Sequence, residues 1–229
     1  MKHIMITMDD HIHTNFSDGK NSPEEMILCA VNLGLKRITF TDHVREDSDW
    51  IEEYVYEIEA LSHKYKSFIE VKIGVESKIK DFFGGLDCPE FILKNDIIQK
   101  VAAIHRIPCE NGVYIRRDEI KNNMQYAFEC YIKALKGVKN NCYINRIAHP
   151  FSLCNEFQLK QDSFEWLRIN DVLTELNLPF EYNLKYDNSI VPDFIWKKNK
   201  DKIVLGSDSH SVNDLEKRIN FYKKTEDIQ

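Results

Sequence analysis

The chain has 229 residues, 43% of them apolar and 30% charged, the make-up of a globular protein with a sizeable core and a length that suits one α/β barrel of about 200 to 250 residues. A net charge of −6 and the lack of any block of five or more basic residues argue against a long nucleic acid as partner. Residues 1–9 hold one Lys and an apolar run too short for a signal peptide or a membrane span, and no later stretch approaches a span.

Apolar segments alternate between strand-like and helix-like periods, with no internal repeat and no Pro/Gly/Ser-rich linker. A first strand is expected over 4–8, leading into Asp10-His11-Ile12-His13. Ser22-Pro23-Glu24-Glu25 then offers an N-cap, a first-turn proline and two acids for a helix to about Leu33, which Gly34 closes. Arg37-Ile38-Thr39-Phe40-Thr41 reads as a second strand ending at Asp42 and His43. Residues 49–65 read as a helix whose Ile51, Val55, Ile58, Leu61 and Tyr65 share one buried face. Further strands are expected over 69–75, 97–104, 145–148, 180–183 and 202–205, separated by helices near 118–138, 162–176, 190–199 and 212–223. Order is expected throughout except at the C-terminal tail.

Repeated βα units form either an open doubly wound sheet or a closed barrel. Chemically active residues follow nearly every strand here, and only a barrel brings all its strand exits to one mouth. A barrel of about seven units is therefore expected.

Six of the eight histidines, His11, His13, His43, His105, His149 and His210, sit at these strand exits. Alternate side chains of an extended segment share a side, so His11 and His13 can serve one metal ion. Asp208 and His210 repeat that spacing in Gly206-Ser207-Asp208-Ser209-His210, where small neighbours crowd an ion little. Glu76 ends the apolar run Val71-Lys72-Ile73-Gly74-Val75 and needs a compensating positive charge, while Asp18 adds a carboxylate in the polar loop after His13. Taken singly, Asp208 reads as a turn residue or helix N-cap, and His105 and His149 as hydrogen-bonded core histidines. Taken together, the set reads as a multinuclear site of imidazole and carboxylate donors, which suits zinc, manganese or iron. The six cysteines, Cys29, Cys88, Cys109, Cys130, Cys142 and Cys154, form no Cys-x-x-Cys pair; reduced thiols in a cytoplasmic protein are expected. Cys109 and Cys154 follow site histidines closely but read as packing residues rather than ligands.

The runs at His11/His13, His43, Glu76, His105, His149 and Asp208/His210, in this order, resemble the motifs of the PHP (polymerase and histidinol phosphatase) superfamily of metal-dependent phosphoesterases, from Asp10 to His210. The resemblance implies an α/β fold, a distorted seven-stranded (β/α)7 TIM-like barrel, with residues 1–229 forming a single PHP-type domain around two to three divalent ions. It implies that His11, His13, Glu76 and Asp208 hold one ion, that Glu76, His105 and His149 hold a second, and that Asp18, His43 and His210 hold a third. Within that set, His11, His13, Glu76, His105, Asp208 and His210 are the implied catalytic residues, and Asp42 is expected to orient a histidine. Ala102-Ala103-Ile104-His105 departs from the Gly-Ser-Val-His wording common in the histidinol phosphatase branch, which bears on the substrate rather than on the metal site.

Clustered ions lower the pKa of a water from about 16 toward about 7 and neutralise phosphoryl charge. The expected reaction is hydrolysis of a small phosphorylated metabolite, a phosphomonoester like histidinol phosphate. A nucleotide or oligonucleotide phosphodiesterase or exonuclease, or a metal-dependent amidohydrolase, is the alternative. Loops 78–95, 106–117 and 151–161 at the mouth are expected to set specificity, with Arg106, Lys78 and Asn183 as candidate substrate contacts. Gly84-Gly85 reads as a lid over the site or as a plain surface turn.

Overall fold

The computed structural model describes residues 6–186 and 188–226. In chain order its elements are β1 (Met8–Ile12), α1 (Pro23–Asn32), β2 (Arg37–Val44), α2 (Ile51–Tyr65), β3 (Glu70–Lys78), α3 (Glu90–Leu93), β4 (Gln99–Ala103), β5 (Ile107–Pro108) and β6 (Tyr114–Ile115). There follow α4 (Met124–Gly137), β7 (Arg146–Ile147), α5 (Phe164–Leu176), β8 (Phe180–Asn183), α6 (Asp193–Lys198), β9 (Ile203–Gly206) and α7 (Val212–Glu226). Seven parallel strands form one sheet in the order β1-β2-β3-β4-β7-β8-β9, and β5 and β6 make a separate antiparallel hairpin.

The sheet closes on itself at the ends of the first and last strands. The Asp208 N–H donates to the His11 carbonyl at 2.9 Å, and the His13 N–H donates to the Ser209 carbonyl at 2.9 Å. Closure thus happens within the two segments richest in candidate ligands. Next to it, β1 carries a register irregularity between Asp9 and Ile12, a local bend of the kind that re-aims side chains beside functional sites.

Between the barrel and its helices lies the apolar core. Phe40 and Phe180 from the strands, Tyr54 from α2, Tyr131 from α4 and Trp166 from α5 are all fully buried. Each such side chain contributes about 1.5–3 kcal/mol through burial. On α1, Ser22 and Glu25 form the reciprocal capping pair that the Ser22-Pro23-Glu24-Glu25 run announces: Ser22 Oγ accepts the Glu25 N–H, and Glu25 Oε2 accepts the Ser22 N–H at 2.8 Å.

Several boundaries differ from the sequence expectation. The first strand begins at Met8 and contains His11; residues 4 and 5 of the expected strand lie outside the described residues, as do residues 227–229 of the C-terminal tail. β2 runs on through His43 and β3 through Glu76, so these residues lie inside strands and face each other in register. Polar residues end an apolar run in the sequence but here continue the strand, because the end of the barrel axis is itself polar. The helix expected near 118–138 is split: a 3-10 turn over Arg117–Asn122 precedes Asn123, whose side chain accepts the Tyr126 N–H at 3.2 Å and caps α4. Gly84-Gly85 is a pinned turn rather than a lid, since Asn141 Nδ2 donates to the Gly84 carbonyl at 2.8 Å and Asp81 Oδ1 accepts the Gly85 N–H at 2.9 Å. Among the described residues, no helix is long and apolar enough to cross a membrane.

Candidate metal centre

All nine residues singled out from the sequence meet at the C-terminal mouth of the barrel. Four overlapping groups have ligand atoms within 4.8 Å of one another: His13, Asp18, His43 and His210; His11, His13 and Asp208; His11, Glu76 and His149; and His43, Glu76 and His105. The grouping differs from the expected three sets: His11, His13, His43 and Glu76 each fall in two groups, and His105 and His149 join Glu76 in different ones. At the centre lies Glu76, 1% exposed, with carboxylate oxygens 2.9 Å from His43 Nδ1, 2.9 Å from His149 Nε2 and 3.2 Å from His105 Nε2.

The local chain explains how each side chain is aimed. Asp42, buried on β2, accepts the Thr14 N–H at 2.8 Å, the Thr14 hydroxyl at 2.9 Å and the Ser17 hydroxyl at 2.7 Å. It fixes the loop that carries Asp18. Among the described residues it makes no hydrogen bond to a histidine, which corrects the orienting role expected from the sequence. Gly19 completes that loop, because a Cβ there would meet the Thr14 carbonyl carbon at 2.7 Å. His149 (φ 26°) and Asp208 (φ 52°) hold backbone conformations that L side chains adopt only under constraint, as is common where a site dictates geometry.

Glu181 on β8 is fully buried in its side chain, and both its oxygens lie within hydrogen-bond reach of His11 Nδ1, at 2.8 and 2.9 Å. That contact makes Nδ1 the nitrogen that keeps its hydrogen, so that Nε2, which faces His13 Nε2 at 2.9 Å, is the one aimed at an ion and gives up its proton when one binds. His210 is set the same way, its Nδ1 donating to the Asp208 carbonyl at 3.0 Å.

Charge follows geometry. Burial pushes His13 down to about 3, against the pull of Asp208, so its ring is neutral and ready to donate a lone pair. Burial opposes a proton on His11, but the Glu181 and Glu76 carboxylates outweigh it and hold that ring well above the ordinary histidine value. Glu76 is lowered well below the ordinary glutamate value, its burial overcome by His105, His11 and His43. Glu76 Oε2 and the Nδ1 atoms of His13 and His149 are buried without a hydrogen-bond partner among the described residues. A hollow that gathers imidazole nitrogens and carboxylate oxygens, with a central anion left partly unpaired, fits divalent cations.

A cleft of about 640 Å³ leads to this cluster past Asp18, His43, Glu76 and His105. Its further wall includes Arg45, Ser48, Trp50, Lys78, Asp87 and Arg106.

A family model of the PHP domain matches residues 9–183. The chain belongs to the PHP family. As a PHP protein it is a metal-dependent phosphoric ester hydrolase. It is similar to a Caldicellulosiruptor bescii protein named "Probable phosphatase", 27% identical over 216 residues that cover 93% of this chain and 83% of that one. It is also similar to the histidinol-phosphatase of Lactococcus lactis subsp. lactis, 26% identical over 231 residues, 90% of this chain and 85% of that one. The crystal structure of histidinol phosphate phosphatase from Lactococcus lactis subsp. lactis, complexed with zinc, L-histidinol and phosphate, shares the fold: TM-score 0.69 at 21% identity, covering 94% of this chain and 93% of that one.

Of the three candidate substrate contacts, Lys78 and Arg106 line the PHP cleft and Asn183 does not. Asn183 is 1% exposed, its Nδ2 donates to Glu181 Oε2 at 3.1 Å and its Oδ1 accepts the Lys185 N–H at 3.0 Å, so it stiffens the end of β8. Cys109 and Cys154 lie outside every ligand group. Sequence reasoning missed Glu181 as the residue that orients His11. Its signal was a carboxylate inside the apolar strand Phe180-Glu181-Tyr182.

Gly206 makes the His11–Glu181 pairing possible. A Cβ there would meet His11 Cβ at 2.8 Å and Glu181 Cδ at 3.1 Å. Gly206→Ala is expected to lower stability by about 1–3 kcal/mol through overpacking and to weaken zinc binding, read from thermal melts and chelator competition.

Proposed function

We propose that the nine-residue cluster holds two to three divalent ions, zinc, manganese or iron, and that the whole chain is a single PHP-type domain that hydrolyses a small phosphomonoester of about the size of histidinol phosphate. The observation that carries this reading is the convergence of His11, His13, Asp18, His43, Glu76, His105, His149, Asp208 and His210 into overlapping groups around one buried carboxylate. His11, His13, Glu76 and Asp208 are the proposed ligands of one ion, Glu76, His105 and His149 of a second, and Asp18, His43 and His210 of a third. Ions bound there supply activation of water and neutralisation of phosphoryl charge. The chain's own residues aim the ligands, keep His11 and His13 out of bulk water, and offer Arg106 and Lys78 on the cleft wall. Six free thiols support a cytoplasmic setting.

The reading is tested by loading the protein with zinc, manganese or iron and measuring turnover of p-nitrophenyl phosphate, bis-p-nitrophenyl phosphate and a panel of amides. Monoester hydrolysis is expected. Faster diester turnover would favour a nucleotide phosphodiesterase, and activity on amides alone would sink the phosphoesterase reading. His13→Ala and Asp208→Ala are each expected to abolish turnover while circular dichroism stays native; unchanged activity in both would refute the ligand assignment.

A further inference from the structure

The cleft wall outside the ligand cluster has cations of two kinds. Lys78 is already engaged: its Nζ lies 3.2 Å from Asp87 Oδ2 and 4.8 Å from the centre of the Tyr114 ring, while Asp87 Oδ1 accepts the Glu46 N–H at 3.1 Å. Arg45 and Arg106 are exposed, and neither guanidinium has a hydrogen bond or ion pair among the described residues. Their backbones are nonetheless anchored. The Arg45 N–H donates to Ser48 Oγ at 3.0 Å and its carbonyl accepts the Ser48 N–H at 3.1 Å, while Arg106 sits between His105 and β5. β3 lies between β2 and β4, so the two arginines leave the barrel on either side of the Glu76 strand, about 10 Å apart by two strand spacings.

Depth gives this wall its role. His11 and His13 at the floor are 0% exposed, whereas the arginines stand at the mouth. A phosphoryl group drawn to the floor therefore lays the alcohol part of the substrate against the arginines. A cationic alcohol part would find no counter-ion there. Asp18 and Glu76 belong to the ligand groups, Asp87 is held by Lys78, and Asp47 and Asp49 of the same loop do not line the cleft.

We propose that Arg45 and Arg106 read a second anionic group on the alcohol part, so that the preferred substrates are phosphomonoesters that also bear a carboxylate or a further phosphate, and not an ammonium. This rests on the phosphomonoesterase reading. Water and the monoester give inorganic phosphate and an alcohol that keeps its anionic group. The planar guanidinium fork pairs with either anion through two parallel hydrogen bonds.

The test is phosphate release by the ion-loaded full-length protein from 2-phosphoglycolate, fructose 1,6-bisphosphate, glycerol 3-phosphate, phosphoethanolamine and histidinol phosphate, with p-nitrophenyl phosphate as reference. The kcat/KM for 2-phosphoglycolate or the bisphosphate is expected to exceed that for phosphoethanolamine by about tenfold or more, mainly through KM, the scale of one charge-assisted hydrogen bond. Whichever of the two leads identifies the anion as carboxylate or phosphate. Arg45→Ala and Arg106→Ala should each reduce the 2-phosphoglycolate to glycerol 3-phosphate ratio of kcat/KM by several-fold, and Arg45→Lys by less. Equal or better turnover of phosphoethanolamine or histidinol phosphate overturns the proposal. So does an equal loss on every substrate in both variants, which would mean that the arginines hold the phosphoryl group itself. No phosphate from any substrate, p-nitrophenyl phosphate included, overturns the phosphomonoesterase reading with it.

Discussion

Exchanging Glu76 for glutamine is expected to cut phosphatase turnover by at least about 1,000-fold, or about 4 kcal/mol of transition-state stabilisation, while the barrel stays folded. Glu76 lies within 3.6 Å of five imidazoles: His11 (3.5 Å), His13 (3.6 Å), His43 (2.9 Å), His105 (3.2 Å) and His149 (2.9 Å). Glutamine keeps the volume but replaces an anion with a dipole whose amide hydrogens face nitrogens that must present lone pairs to an ion. Metal content after dialysis should fall with activity, and a kcat within tenfold of the unaltered protein would show that Glu76 is not the bridge between ligand groups. The chelated protein gives a second readout. Glu76 helps to raise the His11 and His43 pKa values above the ordinary histidine range, and a histidine raised on folding contributes stability that is fully present below about pH 6.5 and is lost as pH rises through the folded value. Without ions, Glu76→Gln should therefore lower the melting temperature more at pH 6 than at pH 9.

The cluster of candidate ligands was legible in the sequence because histidine is scarce and its runs abut apolar segments, so each member carried a local mark. The barrel was legible for a related reason: ligands after nearly every strand require that the strand exits converge. The residues that aim the ligands left weaker traces. Asp42 and Glu181 are both carboxylates in apolar strands, yet one fixes a loop and the other an imidazole. The difference lies in what the closed sheet brings opposite them, and for Glu181 that is His11, 170 positions away. Asn183 looked like a cleft residue by strand alternation, but its amide is spent on Glu181 and on the turn that follows β8. The lower barrel axis was likewise hidden. There Arg37 pairs with Asp10 at 2.7 Å, the Thr39 hydroxyl donates to Asp10 at 2.8 Å, and Arg146 donates to the Asp10 carbonyl and to Gln99. In the sequence Arg37, Gln99 and Arg146 read as ordinary polar positions near the starts of strands, Thr39 as a strand interior and Asp10 as the head of the His11/His13 run. Only the closed ring makes them an interior column leading up to the metal centre.

The Arg146 end of that column gives Glu181 its leverage. Glu181→Gln is expected to weaken zinc binding by about 10- to 100-fold, the usual effect of removing the group that holds a ligating imidazole. Glu181 Oε2 lies 2.9 Å from His11 Nδ1 and also accepts the His149 N–H and the Asn183 amide, each at 3.1 Å, while Oε1 lies 2.8 Å from His11 Nδ1 and 3.4 Å from Arg146 Nε. Burial alone would raise the Glu181 pKa, but His11 and Arg146 hold it below the ordinary glutamate value, so an anion stands between two cationic groups. A glutamine offers one acceptor oxygen where three donors, the His11 ring, the His149 backbone and the Asn183 amide, share two carboxylate oxygens. If its oxygen turns to His149, its amide meets His11 Nδ1, favouring the tautomer with a hydrogen on Nε2, and that hydrogen must leave before an ion can bind. If it turns to His11, the His149 N–H is buried without a partner and the strained φ of His149 loses its support. Glu181→Ala should go further, costing about 3 kcal/mol of stability in the chelated protein, because the buried Arg146 then keeps as counter-charge only Asp10, which it shares with Arg37. Zinc affinity by chelator competition and melting of the ion-free protein separate the two effects, since the glutamine variant should lose mainly affinity and the alanine variant both. Zinc affinity within twofold of the unaltered protein in both variants would mean that His11 is aimed by the backbone of β1 and its bulge alone.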